Sequence, residues 1–440
     1  MRIAVFNLNE THRDPRVRRV CTTLAAAGHE VRVFEMRQAN KPLHESFGAF
    51  DVERVEIPQS YTVEDMAQIE RACPAAGELL RHCDPAVLDG PGGHRFGVML
   101  RRLAQRLYSL VRRPPPAAEP PRKFDPTQEV LALRSILLID HALYVAAERW
   151  RPDVAWCNDL DSLLTGFMLA QRFDIPVVYD AHEIYPEQLA EHMRSDIWHG
   201  FYTRLERRLL QHTDVRLTVC DSIGIYFQKE YGSGPVTTVR NVPARRFLAD
   251  ESVLARRNQP VRFLYHGAYF QYRGLDEILE VAARVERGTF VFRGVGAYGE
   301  VLAARCAERR LGDRVRFVPP VGVDDLIPTA IENDVGLNPF VSVCKNTEVA
   351  LPNKFFEYMM AGLAVASADL IEMRALTDRL KIGVLFDAAD TESVAAALNR
   401  LANDPELLHA CRRRAWVAAR DEFHWENEEK KLLAAVAAIG

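Results

Sequence analysis

The stretch LPNKFFEYMMAGLAVAS at residues 351–367 joins a short helix pattern to a short apolar strand. Pro352 suits the first turn of a helix, because the N–H that proline lacks would have no helical partner there. Lys354 and Glu357 are three residues apart and therefore share one face of the helix. A cation near a helix N-terminus suits a phosphate, and a carboxylate one turn later suits ribose hydroxyls. The alternative is a plain salt bridge between Lys354 and Glu357.

Apolar runs rich in Val, Ile and Phe alternate along the chain with longer amphipathic stretches. The predicted strands are Arg2–Phe6, Glu30–Phe34, Asp153–Cys157, Pro176–Tyr179, Val215–Cys220, Val236–Arg240, Arg262–Tyr265, Phe290–Arg293, Arg314–Val318, Val335–Leu337, Ala364–Ser367 and Val384–Phe386. The predicted helices are Arg16–Ala27, Ser162–Phe173, Phe201–Gln211, Ser222–Tyr231, Leu275–Glu286, Glu300–Arg310, Phe355–Ala361 and Thr391–Leu401. This alternation predicts parallel sheets covered on both faces by helices.

The length of 440 residues exceeds what one compact core usually holds. We therefore expect two α/β domains, joined near Asn241–Asn258, a charged stretch without periodicity. We assign residues 1–245 to the first domain and residues 246–419 to the second. The final helix, at about residues 420–440, is expected to pack back onto the first domain.

The overall composition is that of an ordinary globular protein. Lys and Arg number 56 and Asp and Glu number 60, so the net charge of −4 argues against a nucleic-acid binder. The N-terminus lacks a signal-peptide core, and no apolar run reaches the roughly 20 residues of a membrane span. The eight cysteines form no Cys-x-x-Cys pair, so neither a disulfide framework nor a zinc site is expected. A cytoplasmic protein is the expectation.

One basic segment, His94–Lys123, departs from the α/β pattern. Apolar residues recur in it at helical spacing, arginines cluster with them, and five prolines follow. One interpretation is a peripheral contact of residues 95–113 with the inner membrane face or an anionic partner. The other is a helix packed on the first domain with a solvated basic face, followed by a proline loop.

The motif Gly294-x-Gly296-x-x-Gly299 follows a strand and precedes a helix, as a dinucleotide fingerprint does. That fingerprint also needs an acidic residue at the end of the next strand to hold the ribose. Asp313 precedes the strand Arg314–Val318 instead of ending it, which argues against NAD(P). The glycines then serve either a tight strand-to-helix turn or the approach of backbone N–H groups to a phosphate.

Residues 351–367 resemble the donor-site signature of the retaining glycosyltransferases of family 4. Other segments resemble the same family in chain order: Asp14–Val17 with Gly28–Val31, Pro152–Asp159, Tyr179–Glu183, Arg240–Pro243, Gly267–Gly274 and His424-Trp425. The resemblance spans most of the chain except about residues 58–125. It implies the GT-B fold, in which two Rossmann-like α/β domains face each other across a cleft, with the acceptor on the first and the nucleotide-sugar donor on the second.

The resemblance also implies roles for single residues. Arg273 and Lys354 would stabilise the diphosphate leaving group, and Glu357 would hold the donor ribose. His182 would orient the acceptor or the donor sugar, and together with Arg273 and Lys354 it completes the catalytic set. The donor-binding residues are Gly267, Arg273, Gly294, Glu348, Asn353, Lys354 and Glu357.

The acceptor side is assigned by the same resemblance. Its residues are His12, Asp14, Arg16, Asp159 and Glu183. For the first three of these, helix capping is the alternative to acceptor contact. Asp159-x-Asp161 is interpreted as a loop and helix start, not as a metal pattern. Neither a metal nor a cofactor is expected beyond the nucleotide sugar itself.

Two positions depart from the family pattern. The first of the family's two glutamates falls on Val349, and the adjacent Glu348 is the candidate to replace it. The arginine that often follows the first glycine of the loop is replaced by Ala268. These departures leave the donor sugar open and put full activity in question.

The resemblance as a whole implies a metal-independent retaining glycosyltransferase that uses a UDP- or GDP-linked sugar. Its acceptor could be a glycan, a lipid-linked sugar or a natural product. Two alternatives remain: a GT-B-fold nucleotide-sugar epimerase, and a non-catalytic protein that binds a sugar nucleotide.

Overall fold

The computed structural model describes residues 1–38, 40–56, 71 and 126–439. The basic segment at residues 95–113 therefore lies outside the described residues. The chain forms two compact units. The first holds the described residues up to Val239 together with the segment from Glu429, and the second spans Arg240–Glu428.

The first unit is built on an eight-stranded sheet. Its strands are β1 Arg2–Asn7, β2 Glu30–Met36, β3 His44–Ser46, β4 Asp51–Val55, β5 Val154–Asn158, β6 Val177–Ala181, β7 Val215–Thr218 and β8 Thr237–Thr238. Their order across the sheet is β3-β4-β2-β1-β5-β6-β7-β8. All pairs are parallel except the one between β3 and β4. The carboxyl ends of β1, β5 and β6 therefore meet at one edge.

Helices connect these strands. They are α1 Pro15–Ala26, α2 Pro126–Trp150, α3 Leu163–Phe173, α4 Asp196–Leu209 and α5 Asp221–Tyr231. α1 begins where the Asp14 carboxylate accepts hydrogen bonds from the N–H groups of Arg16 and Val17, with Pro15 in the first turn. On the same helix, the Thr23 hydroxyl donates to Glu429 over 3.1 Å, which ties the C-terminal segment to this unit.

The second unit holds a six-stranded parallel sheet. Its strands are β9 Val261–His266, β10 Gly288–Arg293, β11 Val315–Val318, β12 Val335–Asn338, β13 Ala364–Ala368 and β14 Gly383–Phe386, in the order β11-β10-β9-β12-β13-β14. The helices of this half are α6 Leu275–Val281, α7 Gly299–Glu308, α8 Leu326–Ala330, α9 Lys345–Glu348, α10 Asn353–Met360, α11 Ile371–Leu380, α12 Thr391–Asn403 and α13 Pro405–Asp421. A last helix, α14 Trp425–Ala437, begins in this unit, and its residues from Glu429 belong to the first unit. Burial of whole strands such as β13 matches their continuous apolar sequence.

The expected parallel α/β architecture is confirmed, with differences at single elements. The helix expected over Leu275–Glu286 ends at Val281 and continues as a 3₁₀ turn. Among the described residues, seven elements were not predicted: β3, β4, α2, α8, α9, α11 and α13. α13 is rich in arginine and looks solvent-exposed in sequence, yet Arg412 is only 2% exposed. Its guanidinium donates to the carbonyl oxygens of Gly362, Arg256 and Val253, which makes a buried cation tolerable.

Candidate functional site

Three connections at the carboxyl edge of the second sheet lie against one another. The glycine loop, which we define as residues 267–274, follows β9, and a second loop begins at Gly294 after β10. A Cβ on Gly294 would overlap the carbonyl oxygen of Gly267, and one on Gly274 would overlap that of Pro339, which follows β12. Only glycine permits these backbone approaches.

The glycines of the fingerprint-like motif serve this same packing. A Cβ on Gly296 would overlap the carbonyl oxygen of Tyr269 in the glycine loop, and Tyr269 N–H donates to the Val295 carbonyl over 3.1 Å. α7 then begins at Gly299. The packing of the two loops therefore explains why these positions are glycine. It agrees with the tight-turn interpretation and does not require a dinucleotide site.

Lys354 and Arg273 occupy this carboxyl edge together. The Lys354 ammonium lies 3.8 Å from the centre of the Tyr265 ring and 5.5 Å from that of Phe340. The Arg273 guanidinium lies 4.7 Å from the Phe340 ring centre. Such contacts stabilise a cation by about 0.5–2 kcal/mol, far less than an anion would. Neither cation forms an ion pair within the described part of the chain.

Electrostatics oppose the charge on Lys354. Burial, and next the repulsion from Arg273, lower its pKa well below the ordinary value, although Glu357 attracts the proton. The ammonium also lies 2.8 Å from the point where a Cβ on Gly267 would stand, so a side chain there would displace it. Tyr272, next to Arg273, has a φ of 62°, which is unusual for a residue other than glycine. The edge is thus a strained, cationic pocket wall that favours an anion.

Glu357 is held by a histidine that sequence analysis missed. The Nε2 atom of His266 lies 2.7 Å from a Glu357 carboxylate oxygen, and the imidazole side chain is only 2% exposed. The backbone N–H of His266 donates to the Tyr358 hydroxyl over 3.1 Å. In the sequence, this histidine directly precedes Gly267 at the end of β9. It therefore lies one position before the segment Gly267–Gly274 that resembles the family. The carboxylate that is expected to meet ribose is therefore fixed in direction by β9.

The two remaining donor-side candidates, Asn353 and Glu348, have different surroundings. Asn353 opens α10, and its side-chain oxygen accepts a hydrogen bond from Asn241 over 2.7 Å. Glu348 ends the short helix α9 with an exposed side chain, while Val349 is buried. The one-residue offset therefore turns Glu348 to solvent, so the structure does not bring it together with Lys354 and Glu357.

In the first unit, His182 and Asp159 meet beyond the carboxyl ends of β6 and β5. Asp159 accepts the backbone N–H of His182 over 2.8 Å, and its other oxygen lies 3.2 Å from His182 Nδ1. Asp159 has φ 60° and ψ 171°, a region that is nearly restricted to glycine. A strained backbone held in place by hydrogen bonds is typical of a functional site. Glu183, next along the chain, is half-buried.

The charge on His182 is set by two carboxylates. Burial disfavours the imidazolium, but Asp159 and Asp180 outweigh it and raise the pKa of His182 to about 10. Nε2 lies 3.6 Å from an Asp180 oxygen, too far for a hydrogen bond. His182 is thus a positively charged donor at neutral pH, not a base with a free lone pair.

Arg16 lies inside the first unit. Its guanidinium forks onto both oxygens of Asp180, at 3.0 and 2.5 Å, and donates to the Val239 carbonyl over 2.7 Å. The two side chains are 1% and 0% exposed. Despite burial, Arg16 and next His182 hold the pKa of Asp180 below its usual value. The guanidinium is occupied by the protein itself, so this placement favours positioning of Asp180 over the expected acceptor contact.

The two other candidates near the start of α1 differ in their surroundings. Asp14 caps the helix, which matches the capping alternative. His12 stands in the 3₁₀ turn Thr11–Arg13 with a third of its side chain exposed, and its Nε2 lies 3.2 Å from Glu10. His12 therefore keeps part of its side chain open to a ligand.

Two features are absent from the described residues. No group of three or more His, Cys, Asp or Glu side chains there is arranged to hold a metal ion. Within the same residues, no helix is long and apolar enough to cross a membrane.

Comparison with known proteins gives two family matches. The model described as "Glycosyl transferases group 1" matches residues 260–404, and "Glycosyltransferase Family 4" matches residues 92–242. Glycogen synthase from Mycobacterium tuberculosis is 23% identical over 339 residues, covering 71% of this chain and 76% of that protein.

Solved structures share the fold over nearly the full length. Sucrose-phosphate synthase from Thermosynechococcus elongatus has a TM-score of 0.72 at 15% identity, covering 99% of this chain and 98% of that one. HepE from Anabaena, in complex with UDP and glucose, has a TM-score of 0.63 at 13% identity, covering 99% of both chains. The structure described as "Trehalose-6-phosphate from E. coli bound with UDP-2-fluoro glucose" has a TM-score of 0.65 at 11% identity, covering 100% of this chain and 99% of that one.

Two α/β units with these neighbours define the GT-B fold class. The two matched models together span about two thirds of the chain. The chain belongs to the family 4 glycosyltransferases, which confirms the predicted family, fold class and enzyme class.

Proposed function

We propose that this glycosyltransferase transfers a sugar from a nucleotide diphosphate to an acceptor hydroxyl with retention of anomeric configuration, without a metal ion. The observation that carries the proposal is the pair Arg273 and Lys354, two cations without a carboxylate partner in the described residues. As the glycosidic bond breaks, negative charge builds on the diphosphate, and fixed cations stabilise that charge with little reorganisation. Arg273 can fork onto two phosphate oxygens, while Lys354 acts as a point charge.

The nucleotide is held by the same edge of the second sheet. Glu357, oriented by His266, accepts hydrogen bonds from the ribose, and the glycine loop brings backbone N–H groups near the phosphates. UDP is our proposal for the nucleotide, because the similar HepE and Escherichia coli structures are complexes with UDP or a UDP sugar.

The first unit is proposed to present the acceptor. With a pKa of about 10, His182 is charged at neutral pH and donates hydrogen bonds to a sugar hydroxyl. It does not serve as the general base, since that role needs a neutral imidazole. The acceptor proton is then proposed to go to the departing phosphate. Asp159 orients His182, and His12 and Glu183 are the further acceptor candidates. Whether the acceptor is a glycan, a lipid-linked sugar or a natural product stays open.

The experiment combines a screen of UDP and GDP sugars with Lys354→Ala and Glu357→Ala. Loss of one charge-assisted contact to the leaving group is expected to lower transfer by at least 100-fold, on the order of an oxyanion-hole deletion. The matched control is Glu300→Ala, an exposed glutamate in the first turn of α7. Near wild-type transfer in both site variants would contradict the assignment.

The two alternatives give different results with the same protein. An epimerase would convert the donor without any acceptor, which NMR of the donor alone detects. A non-catalytic binder is favoured by the buried Val349 and by Ala268, which takes the place of the second phosphate cation. It would bind UDP in calorimetry and show no transfer with any acceptor.

A further inference from the structure

The second unit contains a cavity of about 180 Å³ at the amino ends of its strands. Its lining includes Val261, which begins β9, and Arg287 and Asp334, which directly precede β10 and β12. The loops that carry Gly267 and Gly294 follow the opposite, carboxyl ends of the same strands. In a parallel sheet these are opposite edges, so the cavity is separate from the donor site.

Positive charge predominates in this cavity. Four arginines line it: Arg256, Arg257, Arg287 and Arg412. Arg257 lies 3.3 Å from a carboxylate oxygen of Glu406, and Arg412 lies 3.5 Å from one of Asp334. The other two, Arg256 and Arg287, form no ion pair within the described residues. Arg256 donates to the Ile331 carbonyl, which is a neutral acceptor and leaves its charge unbalanced. The two positive charges of Arg256 and Arg287 would be balanced by a ligand that carries two negative charges.

A buried acceptor stands in the same cavity. One oxygen of Asp334 accepts from the N–H of Arg262 and from Asn258, both over 2.9 Å. The other oxygen is buried with no hydrogen bond and lies 3.5 Å from Arg412. The residue is 1% exposed, and a buried carboxylate oxygen without a donor is costly. A ligand hydroxyl would supply that donor.

We propose that this cavity binds a compact phosphate monoester that carries hydroxyl groups. A phosphate monoester is close to a dianion above about pH 7 and so balances Arg256 and Arg287. A hydroxyl of the same molecule donates to the open oxygen of Asp334. The small volume limits the ligand to roughly the size of a phosphorylated three- to six-carbon polyol.

The test is calorimetry on the full chain at pH 7.5, about 1.5 units above the second pKa of a phosphate monoester, with glycerol 3-phosphate as the probe. Arg287→Gln removes one unmatched charge at an exposed side chain. Arg309→Gln removes the same charge from an exposed arginine of the same unit that does not line the cavity. Lys354→Met disables the donor site, so that binding there and binding in the cavity can be told apart.

The expected result is one bound glycerol 3-phosphate, weakened at least tenfold by Arg287→Gln, since a charge-assisted hydrogen bond is lost. Arg309→Gln and Lys354→Met should leave the affinity unchanged. Inorganic phosphate should bind about fivefold or more weakly, because it cannot reach Asp334. Loss of binding in Lys354→Met, or equal affinity of wild type and Arg287→Gln, would overturn the site. Equal affinities for the two probes would overturn the hydroxyl contact.

Discussion

Binding of UDP should be accompanied by proton uptake at Lys354. In the unliganded protein, burial and Arg273 lower the pKa of this lysine well below its ordinary value. A diphosphate beside the amine favours the charged form and raises that pKa again. Between the two pKa values one proton is bound for each UDP, so the Kd should rise about tenfold per pH unit across that window. Below the window the Kd should be independent of pH.

Isothermal titration calorimetry in two buffers of different ionisation enthalpy counts these protons directly. The titrations are repeated at several pH values from about 7 to 9.5. In this range the nucleotide phosphate, with a pKa near 6, is already deprotonated and does not add to the measured proton uptake. Lys354→Met should weaken binding about 10- to 100-fold at the lower pH and abolish the uptake, since it removes a charge-assisted hydrogen bond. Lys229→Met, an exposed lysine of the first unit, is the matched control. Wild-type protein that binds UDP with no proton uptake and a constant Kd would refute the reasoning.

The same depressed pKa has a consequence for stability. Because the unfolded chain binds more protons than the folded one, the free energy of unfolding should rise with pH from the folded pKa of Lys354 towards 10.5. Lys354→Met should therefore stabilise the unliganded protein by about 1–3 kcal/mol at the acid side of that window, and less at higher pH. Urea denaturation without nucleotide measures this difference. If the free energy of unfolding of Lys354→Met equalled that of wild type or fell below it, a lowered pKa of Lys354 in the folded protein would be contradicted.

Three further changes test other parts of the structure. Arg16→Met should lower the free energy of unfolding by about 3–5 kcal/mol in urea, because it leaves a buried carboxylate alone; a loss below 1 kcal/mol would contradict the buried pair. Gly294→Ala should lose about 1–3 kcal/mol by overpacking and also weaken UDP binding, whereas Gly312→Ala, with open space around its Cβ, should do neither. His266→Phe should raise the KM for the donor about tenfold with little change in kcat, and His266→Gln should have a KM between those of wild type and His266→Phe. Equal KM values for wild type and His266→Phe would show that His266 does not position Glu357.

Local patterns were sufficient where function depends on neighbouring residues in sequence. Lys354 and Glu357 are one helical turn apart, and the glycine loop follows directly from the end of a strand. Such short-range features appear in the sequence because spacing and turn chemistry determine them. The alternation of strands and helices likewise predicted both sheets.

Pairings between distant residues were not accessible in the same way. Arg16 and Asp180 are 164 positions apart, and only the parallel pairing of β1, β5 and β6 brings α1 over Asp180. Arg16 was therefore assigned to acceptor contact or helix capping, although it is buried. His266 was missed because its partner Glu357 is 91 positions away, on a helix that follows three strands later in the chain. Side-chain partners of this kind depend on topology, not on local sequence.

The backbone at Asp159 could not be predicted either. Aspartate tolerates a positive φ more often than most residues, but its ψ of 171° belongs to a region that glycine dominates. That conformation results from hydrogen bonds with His182 and the Asp180 carbonyl, which lie on the next strand and beyond it. The sequence identified the residue as a candidate, and the structure gives the physical reason for it.

The central claim, retaining transfer from a nucleotide sugar, is tested most directly by the anomer that leaves the enzyme. UDP-α-D-glucose labelled with ¹³C at C1 is incubated with the protein in EDTA, and NMR follows the first turnovers, with water or a screened sugar as the acceptor. We expect the product to appear first as the α anomer, and we expect Lys354→Ala to abolish its formation. A β anomer as the first product, or turnover that requires an added divalent cation, would contradict it.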